Sequence, residues 1–156
     1  MPSTAHRLYR KTLVHGPVDA VFDFFSRAEN LDRITPPWLQ FQVLSPTPQI
    51  LRKQSRFELS IKLSLFTVHW VTEIIDWDRP HSFIDTQIKG PYKQWEHLHR
   101  FVPQDGITLM EDAVVYRVPG WVFEPFIHLA YVRPKLEKIF DYREEQLNLI
   151  FQQNKL

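Results

Sequence analysis

Cysteine is missing from this chain altogether. That excludes disulfides, thiolate metal ligation and a cysteine nucleophile together, and it fits a reducing compartment. Glycine is scarce, with four residues in 156, and no glycine-rich phosphate loop is present. No segment approaches the roughly 20 apolar residues that carry a helix across a bilayer. Arg7, Arg10 and Lys11 interrupt the N-terminus before the apolar core of a signal peptide forms. Neither sign of charge dominates. The 19 Lys and Arg against 18 Asp and Glu leave a formal +1, without the clustered basic stripe that phosphate neutralisation requires. The expectation is a cytoplasmic protein that neither binds nucleic acid nor inserts stably into a membrane.

What the chain has in abundance is ring surface. Aromatics make up 14% of residues, with 12 Phe and 5 Trp, and that much ring area needs a packed core or a lined pocket. A length of 156 residues suits one domain over 1–156, large enough to bury its core without a metal or a crosslink.

The periodicity predicts a strand over 6–14, where residue types alternate, followed by a break at Gly16-Pro17. Pro17 suits a helix start and Asp19 its first turn; Val18, Val21, Phe22, Phe25 and Leu31 recur at helical spacing. Thr35-Pro36-Pro37 ends any helix. A meander follows. Over 56–66, Phe57, Leu59, Ile61, Leu63 and Leu65 share one face. Further strands are expected at 69–77, 82–88, 94–102 and 107–118, with Asp105-Gly106 as the turn of the last hairpin. From 134 to 153 the period becomes helical, and Leu136, Ile139, Phe140, Leu147, Ile150 and Phe151 form an apolar stripe. Segment 121–132 is expected to be an ordinary core helix, with Pro134 kinking or restarting the chain. A second reading makes Trp121, Phe123 and Phe126 a lid or a transient membrane contact.

Several stretches resemble one family. These are Gly16-Pro17-Val18 with Val21-Phe22-Asp23-Phe24-Phe25, Gly90-Pro91-Tyr92 with Trp95, His97, His99 and Phe101, Asp112 with Val114, Tyr116 and Pro119-Gly120, and Phe140-Asp141-Tyr142-Arg143. Together they resemble small bacterial ligand-binding members of the START-like (SRPBCC) superfamily, which is related to polyketide cyclases, dehydratases and lipid-transport proteins. The resemblance implies an α+β helix-grip fold, a curved antiparallel sheet wrapped around a long C-terminal helix with a ligand cavity between them. Relatives often carry glycine just before the third strand, where this chain has Lys53-Gln54-Ser55.

Strand alternation then selects the interior. On 94–102, Trp95, His97, His99 and Phe101 share one face; on 107–118, Thr108, Met110, Asp112, Val114 and Tyr116 do. The opposite faces hold Glu96, Arg100, Glu111 and Arg117 and suit solvent. Arg143 falls within the apolar stripe of the terminal helix. There it either clamps a carboxylate or phosphate on a ligand, or forms a structural ion pair with Asp112 or a Glu, or lays its stem on the surface. His97 and His99 fit three roles. They suit general acid–base chemistry with Asp112 orienting one imidazole and Tyr116 donating; metal ligation with a third ligand from the next strand; or hydrogen-bonded interior side chains that shape a pocket. The last is favoured, so neither metal nor cofactor is expected. Asp85 and Gln87 lie on a strand with two mixed faces, and the pattern leaves their direction open.

The expected function is binding of a small hydrophobic or amphipathic ligand, possibly anionic, by Trp95, His97, His99, Phe101, Met110, Asp112, Tyr116, Phe140, Arg143 and Leu147, as a carrier or sensor. One alternative is a cyclase- or dehydratase-type enzyme using His97, His99, Asp112 and Tyr116. Another is an adaptor that binds a protein through its surface.

Overall fold

The computed structural model describes residues 4–152, Trp121 by its backbone alone. Seven strands form one curved antiparallel sheet in the order β1-β7-β6-β5-β4-β3-β2. They are β1 (His6–Val14), β2 (Gln42–Val43), β3 (Arg56–Leu63), β4 (Phe66–Asp78), β5 (Ser82–Lys89), β6 (Gln94–Gln104) and β7 (Ile107–Arg117). Helix α1 (Val18–Phe25) and two 3-10 turns, Ala28–Ile34 and Pro37–Leu39, connect β1 to β2. The helical tail comprises α2 (Glu124–Ile127), one wide π turn (His128–Val132) and α3 (Arg133–Gln152). None of the described helices is long and apolar enough to cross a membrane.

Alternation places the core as expected on the two central strands. On β6 the buried positions are Trp95, His97, His99 and Phe101, and on β7 Thr108, Met110, Asp112, Val114 and Tyr116. Against this face α3 buries Leu136, Phe140, Leu147 and Phe151, and α1 buries Val21, Phe22, Phe24 and Phe25. The rings interlock edge to face, with Phe22 centroids 5.3 Å from Phe101 and 4.9 Å from Trp77. Each such side chain removed from water contributes about 1.5–3 kcal/mol. The β6–β7 hairpin closes on Asp105 and Gly106, both with positive φ (41° and 85°). That is the turn whose twist matches its flanking strands.

Three expectations change. Helical spacing from Val18 to Leu31 breaks after Phe25: Ser26 caps α1, with both its N–H and its hydroxyl donating to Phe22 O, and the chain continues as a tighter 3-10 turn. The strand expected over 56–66 ends at Leu63: Ser64 takes φ 57°, and Leu63 pairs with Phe66. Leu65 is therefore a hairpin tip in water and not a core residue. Segment 121–132 is not a core helix. Its start is irregular, and Phe123, Phe126 and Leu129 lie largely exposed. Pro134 stands in the first turn of α3, directly after the π turn, so the chain restarts there as a regular α-helix, as expected.

Within Lys53-Gln54-Ser55, just before β3, Gln54 adopts the left-handed conformation (φ 68°). Its N–H donates to Ile74 O at 2.8 Å, tying the turn to β4.

Candidate ligand-binding site

Between the sheet and α3 lie two adjoining spaces that share Leu39, Leu63, Tyr92, Leu136 and Ile139 in their walls. The outer vestibule holds about 680 Å³ and the inner chamber about 210 Å³. Chamber walls are apolar on β3 and β4, through Phe57, Leu59, Ile61 and Trp70. One end is polar, where Thr72, Asp85, His97, His99 and Arg143 meet.

This polar end draws on four strands and the helix. Diagonal neighbours on the β6–β7 ladder place His97 Nε2 2.7 Å from Asp112 Oδ1. On the other side His99 Nε2 lies 2.6 Å from Asp85 Oδ2, and Thr72 Oγ1 approaches Asp85 Oδ1 at 3.5 Å. The two imidazoles pack with centroids 3.7 Å apart, and Phe83 stacks on His99 at 4.2 Å. Arg143 Nη2 reaches down from α3 to within 3.3 Å of His99 Nδ1 and 3.5 Å of Asp112 Oδ1. Its guanidinium carbon lies 4.9 Å from the Phe25 ring centre and 5.5 Å from that of Phe140. Arg143 Nε is buried without a hydrogen-bond partner.

The charges settle in a definite pattern. Burial opposes ionisation of Asp112, but Arg143 beside it and the hydrogen bond to His97 hold its carboxyl well below the usual range. Asp85 is likewise lowered against the cost of burial, chiefly by its hydrogen bond to His99. Burial, and then the neighbouring His97, push His99 down to about 4 against the opposing pull of Asp85. A neutral His99 donates through Nε2 to Asp85 and accepts from Arg143 at Nδ1. Ionised Asp112 only accepts, so His97 donates to it through Nε2. The other ring nitrogen, Nδ1, lies 3.8 Å from Asp85 Oδ2, and the His97 ring lines the chamber. An imidazole fixed in this way by a carboxylate can take up a proton from a bound molecule.

Asp85, His97 and His99 can bring one ligand atom each to within 4.8 Å of one another. Their close hydrogen bond, and a guanidinium already seated against His99, account for the arrangement without an ion.

The other expected site residues separate. Trp95 and Phe140 line the chamber with the two His and Arg143. Asp112 stands behind the imidazoles, 3% exposed. Phe101, Met110 and Leu147, expected as ligand contacts, pack with Val14, Phe22 and Phe25 in the core, away from the residues that line the two spaces. Tyr116 turns its hydroxyl to His128 Nε2 at 2.8 Å, outside the chamber, so it offers no donor there. Asp85, left open by its strand, faces inward. Gln87 closes the β5–β6 turn, accepting from Tyr92 N–H and donating to Tyr92 O at 2.7 Å. The walls on β3 and β4 were not anticipated as site residues, although the alternation at Phe57, Leu59 and Ile61 signalled an inward face.

A curved sheet gripping a long helix around a chamber with one polar end defines the helix-grip, START-like class. A family model described as polyketide cyclase / dehydrase and lipid transport matches residues 14–130, and the chain belongs to that family. Among solved structures it is similar to the ZhuI aromatase/cyclase of Streptomyces sp. R1128, with 14% identity, TM-score 0.74 and coverage of 96% of this chain and 94% of that one. It is also similar to norcoclaurine synthase of Thalictrum flavum, with 12% identity, TM-score 0.68 and coverage of 100% and 99%. A third likeness is to the nucleoside-diphosphate sugar epimerase of Corynebacterium glutamicum, at 25% identity and TM-score 0.65. It covers 90% of this chain but only 28% of that one. No curated protein sequence matches. Family and fold support a ligand-binding or cyclase-like role.

Proposed function

We propose that the protein binds a small amphipathic ligand whose apolar body fills the chamber and whose anionic head meets Arg143. The observation that carries this reading is Arg143 at the polar end of the chamber, the cationic side chain in an otherwise mostly apolar lining. A carboxylate or enolate oxygen of a ligand would find there a charge-assisted donor. The apolar walls and the few convergent polar groups have the usual make-up of a small-molecule site. Native mass spectrometry of freshly purified protein, followed by analysis of released small molecules, tests the reading. A stoichiometric amphipathic acid supports it. A bare protein that also takes up no such acid on addition refutes it.

The His97–Asp112 pair favours a second reading, acid–base catalysis of the cyclase or dehydratase type, with His97 Nδ1 as the base. Asp112 would position the imidazole without touching substrate. In this reading His97→Gln abolishes turnover of a candidate carbonyl substrate while its binding persists. Unchanged turnover in the folded variant removes the assignment.

A further inference from the structure

We propose that the cavity mouth is a docking surface for an anionic lipid bilayer. Two apolar prongs border the vestibule: the β3–β4 hairpin tip with Leu65 and Phe66, and the irregular start of the helical tail with Val122, Phe123, Phe126 and Leu129. All six side chains are at least 66% exposed. Among the described residues the one other large apolar side chain exposed to that degree is Ile50, which lies near the start of β3, away from the hairpin. Immediate chain neighbours of both prongs, Ser64 and Ile127, line the same vestibule, so both prongs lie beside one opening.

Charge selects the partner. The three segments that form the mouth, 62–67, 88–93 and 117–135, contain Lys62, Lys89, Lys93, Arg117, Arg133 and Lys135. Within them the one acid is Glu124, which is 2% exposed and bonded to His6; Glu137, just beyond, pairs with Arg133 at 3.1 Å. The whole chain has 19 basic and 18 acidic residues, so the mouth is cationic and the remainder net acidic. Lys62 and Lys135 line the vestibule itself, and Lys135 Nζ sits 3.8 Å over the Tyr131 ring. Bulky apolar side chains projecting between lysines match the interfacial region of a bilayer with negative headgroups. A hydrophobic protein partner would account for the prongs but not for the excess of lysine around them, at Lys62, Lys89, Lys93 and Lys135. Docked this way, the vestibule opens into the acyl region, and an amphipathic molecule passes to the chamber without crossing water.

The test is flotation of the full chain with vesicles rich in phosphatidylglycerol and, separately, of phosphatidylcholine alone. Wild type floats with the anionic vesicles and is released by high salt. Lys62→Glu/Lys135→Glu weakens partitioning at least about tenfold, and Phe66→Ser/Phe126→Ser does the same. Ile50→Ser partitions as wild type. Arg143→Gln, which alters the chamber and not its mouth, also floats as wild type, so docking is read independently of the ligand. Absence of flotation overturns the proposal, as does equal binding to both vesicle types or flotation of the prong variant. A solution dimer returned to monomer by Phe66→Ser/Phe126→Ser overturns it too, because the prongs then face a second copy.

Discussion

Asp112 Oδ1 lies 2.7 Å from His97 Nε2 and 3.5 Å from Arg143 Nη2, so one buried oxygen ties the sheet to the terminal helix. Breaking such a group from one side leaves a buried charge unpaired, which costs about 3–5 kcal/mol. Replacing both partners by apolar side chains removes the desolvation cost with the attraction. We expect Asp112→Leu to lose stability in that range by urea denaturation, and Asp112→Leu/Arg143→Met to regain most of it. A double variant as unstable as the sum of its single changes would show that the two side chains act independently.

Stability should fall in acid, with a step that belongs to His99. Its folded value of about 4 lies below its ordinary 6.5, so the unfolded chain takes up the proton first. The contribution is complete above pH 6.5 and is lost as pH falls from 6.5 through 4. It is on the order of 3 kcal/mol. Asp85 and Asp112 are also lowered on folding, so they add a further loss below their ordinary value of 3.8. Unfolding free energies against pH should show both phases, and His99→Gln should flatten the first. A profile unchanged by that substitution contradicts the assignment.

How much of this was legible follows from which residues carry strict periodicity. The inward faces of β6 and β7 followed from period two alone, because aromatic, His and Asp positions alternate there with Glu and Arg. Asp85 could not be placed. Both faces of β5 are mixed in residue type, so period two alone left the choice of face open; the inward face is that of Phe83 and Asp85. Phe101 and Met110 share their faces with the site residues but pack in the core, away from the two spaces. Alternation reports which side a residue faces, not how far along the grip it sits. Leu65 continued the apolar alternation of β3, yet a two-residue turn removed it from the core. Segment 121–132 is rich in apolar residues, and composition alone does not separate a buried helix from an exposed one.

Gln54 holds a left-handed φ of 68°, which costs a residue with a side chain about 1 kcal/mol. Gln54→Gly should leave stability unchanged or raise it by up to about 1 kcal/mol, since the entropy glycine loses on folding offsets part of the gain. Gln54→Val, β-branched at the same φ, should lower it by at least about 1 kcal/mol. Thermal unfolding of the pair decides, and equal stability of the two variants would remove the strain argument.

The central claim is that Arg143 receives the anionic head of a ligand whose body lies along the chamber. Quenching of tryptophan fluorescence tests it most directly, because Trp70 and Trp95 both line the chamber. The titrants are a series of long-chain and aryl carboxylic acids with their matched alcohols. Wild type should bind the preferred acid at least about tenfold more tightly than its alcohol, as a charge-assisted hydrogen bond would give, and Arg143→Gln should erase the difference. Equal affinity for acid and alcohol in the wild type, or a preference that survives in Arg143→Gln, would contradict it.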